Sequence, residues 1–341
     1  MNAPVSPQTF VSLDRTGLIP PDRDTSAWPS PPPGQKIKFG SEAHKVLFSR
    51  LLLDTFDPYR PALIDWPKLE PDAQNRVTSL PIWDIAVQTE GKAGTRMQNY
   101  ADLLTDPLLK KALDLNAFEE RRHKLVLSGL VGAYGIPLEP EPEYKVPRDR
   151  EWAYMVTGFS ECIDSFFAFG LFETARRSGF FPAELVETFE PVVHEEGRHI
   201  VFFANWVEWR RKQLNIFQRI AFEMKVWAVW VFLAYERMGI ANGMDDAADA
   251  QKDKVAQKAD ANFTVTGASQ VGEDLDVAEL MQLCLEEDAR RLGQYDPRLK
   301  RPVFVPNLVR LARATFLKTP AEKAAKASVR AGGSTAAPQP A

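Results

Sequence analysis

This 341-residue sequence has few cysteines, no excess of basic over acidic residues and no leader-like segment at its start. The two cysteines, Cys162 and Cys284, provide neither a disulfide framework nor a CxxC pair, which fits a reducing compartment. The net charge of −4 argues against a broad basic surface for nucleic acid. The first residues lack the basic-then-apolar pattern of a signal peptide. We therefore expect a cytoplasmic protein that does not bind nucleic acid.

The sequence also lacks a region rich in alternating, β-branched segments, so the predicted fold is all-α. The longest apolar stretch is 216–238, which has the length of a membrane span. Arg219, Glu223 and Lys225 interrupt it, and charges are rare at membrane depth. We therefore expect a buried helix and no membrane association. Shorter helices are predicted at Ser41–Phe56, Val277–Leu292 and Val303–Phe316.

Histidine is scarce as well, and its placement is informative. Two of the four histidines end nearly the same phrase, Glu-Glu-Arg-Arg-His at 119–123 and Glu-Glu-Gly-Arg-His at 195–199. Residues three or four apart lie on one face of a helix, so a glutamate and a histidine with this spacing can converge on one metal ion.

Each phrase contains two glutamates, and helix geometry alone does not choose between them. Glu119 and Glu195 precede their histidines by four residues, whereas Glu120 and Glu196 precede them by three. Known dinuclear sites in four-helix bundles use the three-residue spacing, which favours Glu120 with His123 and Glu196 with His199.

Such a site needs two further glutamates at matching heights on neighbouring helices. Asp106 is a suitable N-cap after a predicted helix at Ser79–Leu104, so a tight turn is expected there. Glu120 then lies ~21 Å and Glu90 ~24 Å from this turn. In the second helix pair, which turns at 178–182, Glu161 matches Glu196 to within ~5 Å. Glu173 would miss by ~13 Å.

The connection between the two helix pairs is predicted to be long and extended. Residues 135–147 contain several prolines, which exclude a helix and allow a span of ~40 Å, the length of one long helix. Two helical hairpins joined by one long crossover between helices 2 and 3 form the ferritin-like arrangement of a four-helix bundle.

These features resemble the ferritin-like di-iron carboxylate superfamily over about Ser79–Leu214. The resemblance implies two bridged iron ions, with manganese as the alternative. Their six ligands would be Glu90, Glu120, His123, Glu161, Glu196 and His199. Glu120 and Glu196 would correspond to the bridging carboxylates, Glu90 and Glu161 to the terminal ones, and each histidine would take one metal. A rubrerythrin-type CxxC pair is absent, and Leu127 stands where the radical subunit of ribonucleotide reductase has its tyrosine.

The resemblance implies an oxidoreductase that activates dioxygen or peroxide, acting as an oxygenase or oxidase on an unknown small organic substrate. An electron-donor protein and a monomeric or homodimeric state are expected with it. The alternative is a ferroxidase or iron-handling protein without an organic substrate, and a weaker one is a helical scaffold that uses metal as a staple.

The predicted organisation has four segments: a disordered N-terminal arm at 1–40, a ferritin-like four-helix bundle with a preceding helix at 41–215, a helical extension packed on the bundle at 216–318, and a disordered tail at 319–341.

Several residues near the motif have two interpretations. Arg122 and Arg198 either form surface ion pairs or balance the charge behind the ligands. Asp164 is one turn beyond Glu161, a position from which it could orient a ligand imidazole. His194 is expected to face away from the site. Gly91, Gly94 and Gly158 indicate either close helix packing or space beside the metals.

Overall fold

The computed structural model describes residues 18–249 and 277–315, although nothing is described of the side chains at 239–249. Within these two ranges the chain forms helices and connecting segments, with no β-strand. The all-α prediction is confirmed for this part of the protein. The predicted tail at 319–341 lies outside the described residues.

The helices follow one another along the chain, with a short 3₁₀ turn at Pro61–Leu63 after the first. In chain order they are α1 (Glu42–Asp54), α2 (Pro71–Thr78), α3 (Trp83–Ala101), α4 (Pro107–Tyr134), α5 (Arg150–Ser178), α6 (Ala183–Thr188), α7 (Glu190–Gln213), α8 (Ile216–Asp249), α9 (Val277–Gly293) and α10 (Phe304–Thr315).

The ends of the two longest inner helices follow from their capping residues. At the start of α4, the Asp106 carboxylate accepts from the amides of Leu108 and Leu109, which have no partner within the helix. Asp149 caps α5 in the same way. Both helices end at a glycine with positive φ, Gly135 at 65° and Gly179 at 66°, where a side chain would be strained.

Four long helices enclose the interior. α3 packs along α4 and against α5, and α7 packs against α5 and α4. The connection from Gly135 to Asp149 is not helical, as its prolines predict, and Tyr144 donates from its hydroxyl to the carbonyl of Gln88 on α3 at 3.1 Å. α1 lies across α4 and α7, and its Phe48 and Leu52 are completely buried.

The start of the described chain runs over these helices without forming a helix of its own up to residue 40. Lys111 on α4 donates to the Asp22 carboxylate at 2.6 Å, and Arg50 on α1 donates to the carbonyl of Trp28 at 2.9 Å. Residues 18–40, which the sequence assigns to the arm, therefore contact the bundle.

The segment 216–238 is helical, but the prediction that this helix is buried is wrong for one of its two faces. Phe222, Val226, Val229 and Leu233 pack inward, whereas the opposite face is exposed. The helix is apolar on nearly all sides, but only one stripe faces the bundle. The exposed side chains are Ile216, Phe217, Ile220, Met224, Trp227, Val231, Phe232, Tyr235 and Met238.

Among the described helices, α5 has the length and the mean hydropathy, 1.3, that a membrane-crossing helix requires. Half of that apolar window is buried inside the protein. A core helix passes the same test, so the finding is weak support for a membrane span.

Candidate metal centre

Four of the six predicted ligands converge in the interior between α3, α4 and α7. Glu90, Glu120, His123 and Glu196 each offer one ligand atom, and these atoms all lie within 4.8 Å of one another. Nδ1 of His123 lies 3.0 Å from Glu196 Oε1 and 3.6 Å from Glu90 Oε2. This group could hold a metal ion.

The other two predicted ligands border the same group. Nδ1 of His199 lies 2.8 Å from Glu120 Oε1 and 4.0 Å from Glu196 Oε1. Glu161 lines a cavity that Glu90, Glu120 and Glu196 also line, and neither of its buried carboxylate oxygens has a hydrogen-bond partner among the described residues. Glu196 therefore lies between the two histidines, which are 5.6 Å apart between ring centroids. A ligand role for the six residues remains a prediction.

The second nitrogen of each imidazole is held by a glutamate from the other copy of the motif. Nε2 of His123 lies 2.8 Å from Glu195 Oε2, and Nε2 of His199 lies 2.8 Å from Glu119 Oε2. Because an ionised carboxylate only accepts, each Nε2 carries the hydrogen. The opposite nitrogen, Nδ1, is thereby presented to the carboxylate cluster, as in metal sites whose histidines are oriented by a carboxylate.

The arginines of the motif complete this crossed arrangement. Arg122 donates to the Glu195 carboxylate, and Arg198 donates to that of Glu119 at 2.7 Å. All four side chains are at most 2% exposed. Two buried carboxylates are thus neutralised by two buried guanidinium groups, which satisfies the requirement that buried charges be paired. The interpretation of these arginines as charge balance behind the ligands fits this geometry.

The functional glutamates that sequence reasoning did not assign are Glu119 and Glu195. Their signal was present, since both lie four residues before a histidine and both belong to the repeated phrase. The two spacings are not alternatives, because both glutamates of each phrase contact a histidine of the site. Each phrase uses its nearer glutamate at the cluster and its farther one on the histidine of the facing helix.

A segment between α1 and α2 covers the crossed pairs. Tyr59 donates from its hydroxyl to Glu195 Oε2 at 3.2 Å, and its ring lies 3.9 Å from the Arg122 guanidinium carbon. Arg122 also donates to the carbonyl of Asp57 at 2.6 Å. On the other side, Arg198 donates to the carbonyl of Leu52 at 3.1 Å. The cover excludes water from both pairs.

Charge crowding shifts the pKa values of the inner carboxylates in opposite directions. Burial, with the charges of Glu196 and Glu90, raises the pKa of Glu120 well above its usual value. Burial and the charge of Glu120 raise the pKa of Glu161 in the same way. Burial opposes ionisation of Glu196 too, but His123 lowers the pKa of that carboxylate.

The outer glutamate behaves differently because it has a fixed cation. Burial alone would raise the pKa of Glu119, but its hydrogen bond with His199 and the charge of Arg198 lower it to about 2. Burial likewise opposes protonation of His123, yet Glu195, Glu196 and Glu90 raise the pKa of this imidazole well above 6.5. A cation at the cluster would replace the proton on Nδ1.

Of three further predictions near the site, the one for Asp164 is wrong and those for Glu173 and His194 are confirmed. Asp164 does not reach an imidazole and instead pairs with Arg237 on α8 at 3.0 Å, so its orienting role is wrong. Glu173 pairs with Arg176 and Arg177 and is absent from the cluster. His194 lies against Tyr295 rather than in the site.

The three glycines support close helix packing. A Cβ on Gly158 would lie 2.3 Å from the Phe203 ring, and one on Gly94 would lie 2.9 Å from the Arg121 side chain. On Gly91 it would meet Glu141 at 2.8 Å. None of them opens space beside the cluster.

The donor atoms left over in the site test whether a metal fits. Both carboxylate oxygens of Glu161 lack a hydrogen-bond partner in the described part of the chain. Three further buried atoms, Glu120 Oε1, His123 Nδ1 and His199 Nδ1, face only one another and the carboxylates of Glu90 and Glu196. Such atoms are costly unless something binds them. Carboxylate oxygens and imidazole nitrogens are ligands of iron, manganese and zinc. The donor set therefore fits a metal ion.

Comparison with protein-family profiles, curated proteins and solved structures found no match for this chain. The interpretation of the site rests on its residues and their geometry.

Proposed function

We propose that the protein is a dinuclear-metal oxidoreductase that activates dioxygen or peroxide, with iron as the expected metal and manganese as the alternative. The observation that carries the proposal is the convergence of buried carboxylate and imidazole atoms on one cluster, beside which both oxygens of Glu161 have no hydrogen-bond partner among the described residues. Four carboxylates and two neutral imidazoles would balance the charge of two divalent ions.

The division of ligands follows from proximity. Glu90 would share one metal with His123, since Glu90 Oε2 lies 3.6 Å from Nδ1 of that imidazole, and Glu161 and His199 would then serve the other. Glu196, whose Oε1 lies 3.0 Å from Nδ1 of His123 and 4.0 Å from Nδ1 of His199, would be shared between the two metals. Glu120 would be the second bridge. Metal ions bound at this cluster would supply electrons to dioxygen or peroxide.

The residues around the cluster would orient the two histidines and keep water away from the site. Glu119 and Glu195 fix the tautomer of each histidine, and their arginines keep both carboxylates ionised in the interior. Together with the long crossover at 135–149, these features support a ferritin-like four-helix bundle as the fold.

We also expect a monomer or homodimer rather than a storage cage. α8 exposes an apolar stripe in which Phe217, Met224, Val231 and Met238 recur every seven residues, a spacing typical of helix pairing. Light scattering tests this expectation. A particle of about 24 subunits that accumulates iron mineral would support the iron-handling alternative instead.

The test of the proposed function is metal analysis followed by oxygen consumption. Protein purified from its native host should contain about two iron or manganese ions per chain. The chemically reduced protein should consume dioxygen. His199→Ala should lose metal and oxygen consumption while far-UV circular dichroism stays unchanged.

His194→Ala provides the matched control, because this histidine is on the same helix but lies against Tyr295. It should keep both metal and oxygen consumption. Wild-type metal content in His199→Ala would contradict the proposal, and so would metal-loaded, reduced protein that consumes no dioxygen.

A further inference from the structure

A cavity of about 480 Å³ opens directly onto the carboxylate cluster. Glu90, Glu120, Glu161 and Glu196 all line it. The volume lies in the range of pockets that hold small organic ligands. At about 30 Å³ for each water-sized atom, it holds roughly 16 heavy atoms.

The apolar lining extends from the cluster toward one end of the helices. Trp83, Leu127, Ala168 and Phe189 each line the cavity, and each stands seven residues from one of the four glutamates. Seven residues correspond to ~10 Å of helix. Trp83 and Phe189 precede their glutamates in the sequence, whereas Leu127 and Ala168 follow theirs. Because the helices within each pair run in opposite directions, all four residues lie on the same side of the cluster, toward the end where α5 turns into α6 and α7.

This part of the cavity, the apolar chamber, carries no charge. On this side of the cluster, every lining residue that lies more than one helical turn from a glutamate is apolar. The lining extends as far as Ala175 on α5 and Leu185 and Val186 on α6. The indole nitrogen of Trp83 donates to the carbonyl of Val77 at 2.9 Å, so its polar atom is already engaged. A ligand group here would gain from apolar burial and find no hydrogen-bond partner in the lining.

The cavity is long for its volume. Along α5 its lining runs from Val156 to Ala175, 19 residues or ~28 Å, of which the part from Glu161 to Ala175 is ~21 Å. A cavity of about 480 Å³ that extends so far along the helix suits one extended chain rather than a fused ring system. Small side chains at Ala86, Ala168 and Ala175 keep it open.

We infer that the apolar chamber binds a linear hydrocarbon chain of about 12 to 16 carbons, with its far end against α6 and its near end beside the glutamate cluster. The role of this chain as the substrate rests on the proposed function, whereas its binding requires only the apolar lining. The polar side of the cavity, which includes Thr157 and Ser160, would receive the polar end of the molecule.

The test is calorimetric binding of primary n-alkanols from hexanol to hexadecanol, measured on metal-free and on metal-loaded protein. The Kd should fall about fourfold for each added CH₂ and level off at about 12 to 16 carbons. A rigid fused-ring alcohol with a similar number of carbons should bind at least about tenfold more weakly than the best n-alkanol.

Ala168→Phe should shorten the chain length at which affinity levels off by about six carbons, because the added ring occupies the chamber. Ala86→Leu on the facing helix provides the same test with a smaller shift if the first variant does not fold. Ala183→Phe is the matched control, since Ala183 is exposed on α6 and does not line the cavity.

Affinity independent of chain length, tighter binding of the fused-ring alcohol, or an unchanged limit in a folded chamber variant would overturn the inference. Alkanol binding by a protein that takes up no metal even when iron and manganese are supplied would uphold the chamber and refute the proposed function. The opposite result, metal and oxygen consumption without alkanol binding, would refute the chamber alone.

Discussion

The two copies of the Glu-Glu-x-Arg-His phrase have nearly the same contacts but different surroundings. In the α4 copy, His123 and Arg122 are held by Glu195; in the α7 copy, His199 and Arg198 are held by Glu119. The outer glutamate of each copy therefore binds the histidine and the arginine of the other copy. Neither copy has its full set of contacts without the facing helix.

The covers of the two halves differ. Arg122 is enclosed by aromatic rings, those of Phe56, Tyr59 and Phe118, whereas Arg198 binds the carbonyl of Leu52 at the end of α1. The inner carboxylates differ as well, because the pKa of Glu120 is raised and that of Glu196 is lowered. The repeat places these side chains alike, but their pKa values differ because Glu120 faces the carboxylates of Glu196 and Glu90, whereas Glu196 faces the imidazole of His123.

The largest expected effect is removal of an outer glutamate. Glu195→Ala and Glu119→Ala should each destabilise metal-free protein by about 3–5 kcal/mol, because each removes the nearer of the two carboxylates beside a buried guanidinium. Urea unfolding at neutral pH measures the loss. Glu173→Ala is the control, since its arginine partners are more than half exposed, and should cost on the order of 1 kcal/mol. If both Glu195→Ala and Glu119→Ala lost less free energy of unfolding than Glu173→Ala, the crossed ion pairs would not stabilise the fold as described.

The next effect concerns metal affinity and compares the two outer carboxylates. Glu119→Gln and Glu195→Gln keep the side-chain shape but weaken the hold on each Nε2. Each should lower metal affinity by about 10- to 100-fold without abolishing it. Metal titration measures the change. If either variant bound metal as tightly as wild type, the orienting role of that glutamate would be refuted.

The inner carboxylates should respond to pH in opposite ways in metal-free protein. The raised pKa of Glu120 means that the folded state binds its proton more tightly, so stability falls as pH rises above about 4.5. The lowered pKa of Glu196 means that its contribution is present above about 4.5 and is lost as pH falls through the folded-state pKa.

Glu120→Gln should therefore stabilise metal-free protein at pH 8, and Glu196→Gln should destabilise it, each by about 1–2 kcal/mol. Both differences should shrink toward pH 4, where Glu120 is protonated in both states and Glu196 approaches protonation. Thermal unfolding across this pH range gives the comparison. Shifts of the same sign at pH 8 would show that the two halves are electrostatically equivalent.

The smallest effect tests the two covers. Tyr59→Phe removes the hydroxyl that donates to Glu195 and should cost about 1 kcal/mol. Thr55→Val removes a longer contact, 3.4 Å from Arg198, together with an exposed hydrogen bond that the same hydroxyl donates to the carbonyl of Leu51, and should cost less. Equal costs in urea unfolding would argue that the difference between the covers has no energetic meaning.

Sequence reasoning reached the helices and the cluster because both depend on local periodicity. Asp106 and Gly135 mark the ends of α4, and the repeated motif placed His123 and His199 on facing helices. Matching the distances of the glutamates from the helical turns favours Glu161 over Glu173. In the structure Glu161 lines the cavity, whereas Glu173 pairs with the exposed Arg176 and Arg177.

What sequence could not supply was pairing across helices. The partner of Asp164 is Arg237, more than seventy residues away, and no local pattern connects them. The crossed use of Glu119 and Glu195 depends on how two helices rotate toward each other. The exposure of one face of α8 depends equally on which of its two apolar stripes meets the bundle.

The most direct test of the central claim is anomalous diffraction from crystals of the metal-loaded protein, recorded at the absorption edge of the bound metal. The account predicts two anomalous peaks about 3.5–4 Å apart, each beside one of the imidazole Nδ1 atoms and both within reach of Glu196. No peak, a single peak, or peaks outside the ring formed by Glu90, Glu120, Glu161 and Glu196 would contradict it.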